Sequence, residues 1–182
     1  MKANIFDALQ FATNAHSGQF RKGTKIPYIV HPVTVMQTLI EYGASDDAVM
    51  AGILHDTLED TPTTVADLEQ NFGKRITQLV IGASEMDKSL SWEERKEHTL
   101  DTLGKCDDLD LLMVTCADKF SNIRSIIADH KKFGDDVWTR FNRGHDLQKW
   151  YYGGLAQIFV QHIDKSRLFA DYADAVQQIF GK

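Results

Sequence analysis

The stretch LHDTLEDT, residues 54–61, sets His55 and the carboxylates Asp56, Glu59 and Asp60 among the apolar side chains Leu54 and Leu58. Flanking leucines imply burial nearby, and a buried carboxylate without a cation is costly. The segment therefore reads as metal and acid–base chemistry rather than as a solvated acidic face. On one continuous helix, residues four apart share a face, which sets His55 over Glu59 and Asp56 over Asp60. His55 and Asp56 are then about 100° apart around the axis, and a long imidazole and a short carboxylate still converge on one ion.

Two ligands are too few for a firm divalent site, so others must come from distant parts of the chain. His31, beside Pro32 at the mouth of a helix, is one candidate. Asp118, four residues before Asn122 in an otherwise apolar helix, is another. Such a set mixes nitrogen and oxygen donors and suits Mn²⁺, Fe²⁺ or Zn²⁺ better than Ca²⁺. A metal held this way acidifies a water at neutral pH. Glu59 and Asp60, one turn beyond the ligands, are the candidates to take that water's proton and orient it. His16 reads as a hydrogen-bonded structural histidine, and His98, His130, His145 and His162 as exposed.

The elements that must position these residues are helical almost throughout. Ile5, Leu9, Ala12 and His16 recur at helical spacing, and Gly18 can end that segment. A loop marked by Gly23 and Pro27 leads to a helix near Pro32 that stops at Gly43. Ser45, with Asp46 and Asp47 behind it, caps a helix running into LHDTLED, and Pro62 ends it near Asp60. Thr64 opens a helix closed by Gly73, and another carries Ile76, Leu79 and Val80. Ser91 and Glu94 fit a capping box. A long periodic helix runs from about Asp108 to His130, with at least two more around 136–162 and 165–180. The expectation is an all-α chain forming a single domain over residues 1–182.

Composition narrows the function. Of 182 residues, 43% are hydrophobic and 25% charged, ordinary for a water-soluble globular chain. No apolar run approaches the roughly 20 residues that cross a bilayer, and Asp7 interrupts what would be a signal peptide's apolar stretch. Cys106 and Cys116 read as reduced thiols, which makes the expected compartment the cytoplasm. The net charge of −6 argues against a general nucleic-acid binder. A small anionic substrate remains compatible with it, because HSGQFRKGTK (16–25) reverses the sign locally with Arg21, Lys22 and Lys25. A guanidinium grips phosphate bidentately, which favours Arg21 as a phosphate contact; Lys22 and Lys25 read equally well as solvent charges. The stripe Trp138, Phe141, Trp150 and Tyr151 reads as core or as an oligomer interface. Lys88, Arg95 and Lys96 either reach phosphates or decorate their helix.

The spaced set His31, His55-Asp56 and Asp118 resembles the H…HD…D signature of HD-domain metal phosphohydrolases. More narrowly, AHSGQFRKGTKIPYIVHP (15–32), LHDTLEDT (54–61) and ADKFSNIRS (117–125) resemble the hydrolase domain of the RelA/SpoT family, at the size of its small single-domain alarmone hydrolases. The resemblance spans about residues 6–127. It implies a single HD-domain helical bundle that uses Mn²⁺ to remove the 3′-pyrophosphate of guanosine tetra- or pentaphosphate, giving GDP or GTP and pyrophosphate. It also implies metal ligands at His31, His55, Asp56 and Asp118, a catalytic acidic pair at Glu59 and Asp60, and substrate contacts from Arg21, Lys22 and Asn122. The chain departs from the family's KLADK with TCADK, at Thr115 and Cys116, and from VTxxDK with GASEMDK, where Ser84 replaces threonine and Asp87 and Lys88 remain. Those departures bear on which nucleotide is bound. Hydrolysis of another phosphorylated nucleotide, such as NADPH at its 2′-phosphate, is the alternative within the same chemistry. A cyclic-dinucleotide phosphodiesterase lacks its GYP motif here. A non-catalytic alarmone-binding protein is the alternative from another class.

Overall fold

Local signals in the sequence start most of the helices. In the computed structural model, which describes residues 3–85 and 89–181, α1 (Ile5–Ala15) begins at Asn4, whose side chain accepts from the Phe6 and Asp7 amides. α2 covers Val30–Glu41 with Pro32 in its first turn, and α3 covers Asp46–Leu54 with Ser45 accepting from the Ala48 amide. A short α4 (Thr57–Asp60) leads to α5 (Val65–Ala83), opened by a Thr64–Asp67 capping box. Gly73, at φ 79° and ψ 170°, breaks α5 into the two pieces its sequence implies. α6 (Trp92–Gly104) starts with the Ser91–Glu94 capping box, and α7 (Leu109–Phe133) starts at Asp108. α8 (His145–Phe159) and α9 (Arg167–Phe180) complete the chain. No strand occurs among the described residues, only an isolated Phe20–Pro27 bridge, so the expectation of an all-α chain is met.

α3 is the hub. Every residue from Ala48 to Leu54 is buried, and the helix packs against α1, α2, α5 and α7. A Cβ at Gly52 would lie 2.3 Å from Leu39 Cδ1 and 3.2 Å from Val35 Cγ1. Glycine thus lets α3 approach α2 closely, and this contact sets His31 and His55 side by side.

Two expectations need correction. LHDTLED is not one helix: α3 ends at Leu54, and His55 and Asp56 occupy a joint before α4. His55 Nδ1 bonds the Gly52 carbonyl at 2.8 Å and Thr57 Oγ1 donates to the Leu54 carbonyl at 2.7 Å, so side chains take up carbonyls that a continuing helix would use. Asp56 accordingly flattens to φ −89°, ψ −5°. Residues 136–162 are not one helix either. Gly134, at φ 59°, ends α7, and a 3₁₀ segment, Gly134–Arg140, precedes α8. Asp87 and Lys88 lie outside the described residues.

Candidate metal and phosphate site

The three distant segments converge. His31, in the first turn of α2, points Nε2 at Asp118 Oδ1 on α7, 3.1 Å away, and lies 3.7 Å from Asp56 Oδ2. His55 Nε2 lies 3.1 Å from Asp56 Oδ2 and 3.7 Å from Asp118 Oδ1. The two imidazoles meet edge to face, with ring centres 5.2 Å apart. His31, His55 and Asp118 are buried, while Asp56 is partly open. The expected ligands are therefore in one cluster, and Asp56 and Asp60 lie one helical turn apart, the Asp60 amide donating to the Asp56 carbonyl at 2.9 Å and both carboxylates facing the Tyr28 hydroxyl.

The cluster fits a divalent ion. Donors bound at about 2.1 Å and at right angles stand about 3 Å apart, close to the spacings seen here. Among the described residues, donor atoms of His31, His55 and Asp118 all lie within 4.8 Å of one another. His55 Nε2 is buried without a hydrogen-bond partner, an atom in want of a ligand. His31 and His55 are oriented from behind, by Ser121 Oγ at 3.2 Å from His31 Nδ1 and by the Gly52 carbonyl on His55. Ser84, the departure from threonine, retains the hydroxyl and donates it to the His55 carbonyl at 3.0 Å.

The electrostatics are those of a charge-dense pocket. Burial opposes ionisation of Asp56, but His55 overrides it and holds the carboxyl well below the usual range. Burial likewise opposes Asp118, which Lys119 holds ionised, its ammonium 2.7 Å from Asp118 Oδ2. Burial lowers His31 below its ordinary value. For His55 the same burial is outweighed by Asp56 and Asp118, which lift the ring well above it. A divalent ion in the cluster would supply the positive charge in place of the proton.

The acidic pair divides. Asp60 stays near the donors: the Tyr28 hydroxyl donates to Asp56 Oδ2 at 2.6 Å and reaches Asp60 Oδ2 at 3.5 Å. Glu59 turns the other way, and its Oε2 accepts the Glu85 amide at 3.2 Å. Burial raises the Glu59 carboxyl above its ordinary value, and Asp56, Asp60 and Glu85 add to the rise.

Arg21 and Asn122 form one edge of the pocket. Arg21 Nη2 donates to Asn122 Oδ1 at 3.1 Å, and Asn122 Nδ2 donates to Asp118 Oδ1 at 2.8 Å. Lys22 and Lys25 are exposed on the loop before α2. Lys96 does more than decorate its helix: it is largely buried, ion-pairs with Glu85, and feels both Lys119 and Asp118. Arg95 Nε pairs with Glu85 Oε2 at 3.3 Å. The Thr115–Cys116 departure is packed into the core, with the Cys116 thiol near the Leu168 carbonyl.

His16 bonds Gln19 at 2.8 Å, as expected of a structural histidine. His98 is exposed, but His130, His145 and His162 are half-buried, contrary to expectation. His130 and His145 pack on Trp138, whose ring needs covering where α7 meets α8. Tyr28, Ser121 and Glu85 carry no role readable from the sequence alone, whereas Lys119 makes the ion pair with Asp118 that adjacency suggests. Only a helical-turn offset, Tyr28 three before His31 and Ser121 three after Asp118, hinted at the first two.

Residues 8–144 match the HD-domain family, and the chain belongs to that family. Over 120 residues it is 38% identical to the bifunctional (p)ppGpp synthase/hydrolase SpoT of Escherichia coli K12, a match covering 63% of this chain and 17% of that protein. Guanosine-3′,5′-bis(diphosphate) 3′-pyrophosphohydrolase of Aquifex aeolicus is 33% identical over 120 residues, 65% of this chain and 17% of that one. The chain thus spans about a sixth of the length of these curated relatives. Among solved structures, lmo0812 from Listeria monocytogenes superposes with TM-score 0.75 at 37% identity, covering 86% of this chain and 97% of that one. A metazoan ortholog of SpoT, described as hydrolysing ppGpp, superposes with TM-score 0.77 at 25% identity over 98% and 96% of the two chains. None of the described helices is long and apolar enough to cross a membrane.

Proposed function

We propose that this chain is a single HD-type hydrolase domain over residues 1–182, acting in the cytoplasm on guanosine tetra- or pentaphosphate. It releases pyrophosphate from the 3′ position and leaves GDP or GTP. The observation that carries the reading is the convergence of His31, His55, Asp56 and Asp118 donors from three segments, with the Asp60 carboxylate beside them. Relatives named for this pyrophosphohydrolase activity support the substrate.

His31, His55, Asp56 and Asp118 are the proposed ligands of Mn²⁺. A divalent ion there supplies Lewis acidity to a water and to the phosphoryl oxygens. Glu59 takes the proton from the attacking water; its raised carboxyl makes it a stronger base than a solvated glutamate. Asp60, held at the Tyr28 hydroxyl, orients that water. Arg21, positioned by Asn122, grips the substrate from the pocket edge, with Lys22 beside it. Lys96 and Lys119 add the positive field against which phosphate charge develops.

The test is to incubate Mn²⁺-loaded protein with a nucleotide panel that includes guanosine tetraphosphate and NADPH, and to identify the phosphate released. Pyrophosphate from guanosine tetraphosphate is expected. Orthophosphate alone, or release from NADPH only, overturns the substrate assignment, and no turnover with any nucleotide overturns the catalytic one.

A further inference from the structure

Asp56 stands in the N-cap position of α4, where an aspartate ordinarily turns its carboxylate onto the amides of its own helix. It does not do so here: its backbone is helical, at φ −89° and ψ −5°, rather than extended as in a capping residue, and no side-chain cap bond forms at α4. The carboxylate points into the donor cluster instead, with Oδ2 3.1 Å from His55 Nε2 and 3.7 Å from His31 Nε2. The hydroxyl of Tyr28 donates to that same oxygen at 2.6 Å, and a carboxylate oxygen has a second lone pair for a ligand.

We propose that Tyr28 is the positioning residue of this centre, its hydroxyl holding the Asp56 carboxylate aimed at the ion. This rests on the metal-site reading above. The surroundings suit the task. The Tyr28 ring stacks on buried His16, with centres 4.8 Å apart, and Arg21 lies over it at 5.7 Å. His16 bonds Gln19, whose amide donates to the Asp60 carbonyl at 2.7 Å. The loop that carries Arg21 is thus joined to both Asp56 and Asp60. A disturbance of this loop should reach the metal ligand through one hydroxyl.

Tyr28→Phe retains the ring and deletes that hydroxyl alone. Calorimetric titration of metal-free protein with Mn²⁺ should show affinity weakened about 10- to 100-fold, as for other groups that orient a ligand. The metal-free variant should remain folded by circular dichroism, because the Tyr28 ring and its packing on His16 are kept. With guanosine tetraphosphate at saturating Mn²⁺, kcat should fall while KM stays within about twofold, since ground-state binding is untouched. Equal Mn²⁺ affinity in both proteins overturns the role of Tyr28 and leaves the metal site standing. Failure of the metal-free variant to fold makes the hydroxyl a scaffold bond and overturns it too. Absence of Mn²⁺ binding in the wild type overturns the metal site together with this proposal.

Discussion

Where α2, α3 and α7 meet, the interior is polar: His31, His55, Asp118, Ser121 and Thr57 are all buried. Where α8 and α9 close over α7, the interior is aromatic. Phe159 stacks on Phe169 and meets Tyr172 edge to face, while Trp138, Phe180 and Tyr152 form a second ring cluster. The first region is held by directional contacts at about 3 Å. The second is held by volume, which several ring arrangements fill equally well. A buried polar centre tolerates few alternatives, whereas an aromatic one tolerates many. The two halves should therefore fail differently when cut.

The largest effect belongs to the ligands. Asp56→Ala should abolish Mn²⁺ uptake in calorimetry and bring turnover below detection, while circular dichroism shows the fold intact. Removing one carboxylate from a crowded cluster leaves the aromatic half untouched. Retained Mn²⁺ binding would mean that the cluster is an ordinary buried ion-pair network. Glu59→Ala sharpens the contrast inside the polar half. It should cut turnover by about 10² to 10⁴ with Mn²⁺ affinity unchanged, and persisting activity would remove Glu59 from the acid–base role.

The aromatic half should show the converse. Phe159 is fully buried between α8 and α9, and Phe159→Ala should cost about 3–5 kcal/mol in urea unfolding. The fraction that remains folded should bind Mn²⁺ with wild-type affinity. A coupled loss of metal binding would show that the two halves act as one unit rather than as a site and its cover.

The same contrast governs what the sequence discloses. That His55 and Asp56 would sit in a buried polar cluster was legible because burying them demands particular residue types at particular places, whereas Asp118 was singled out only by its resemblance to a motif. The route to it was less so. One continuous helix through LHDTLED fits the hydrophobic pattern, yet His55 Nδ1 and Thr57 Oγ1 capture carbonyls and open a joint that no periodicity reveals. Capping signals at Ser45, Thr64 and Ser91 were readable, since each satisfies amides within its own first turn. The pairing of Glu85 with Lys96 and the covering of Trp138 by His130 and His145 depend on how distant helices pack, and no local signal encodes them.

The smallest effect lies on the seam between the halves. Glu85, at the end of α5, pairs with Lys96, whose ammonium sits 4.7 Å from the Tyr151 ring centre and 5.7 Å from that of Trp92. Burial pushes the Glu85 carboxyl up, but Lys96, Lys119 and Arg95 override it and hold it below its ordinary 4.5. Burial and Lys119 outweigh that same pairing at Lys96 and hold the ammonium below its usual value. A depressed carboxyl stabilises the fold fully above its unfolded value and loses that contribution as pH falls through the folded one. At pH 7, Glu85→Gln should therefore cost about 1–2 kcal/mol, the range for a charge-assisted bond that is partly open to water. Below pH 4.5 the unfolded chain takes up the proton first, and the wild type should lose stability faster than the variant until the two curves meet. A gap that stays constant from pH 7 to pH 3 would mean that the seam is held by the packing of Lys96 on Tyr151 and Trp92, which places it with the aromatic half rather than the polar one.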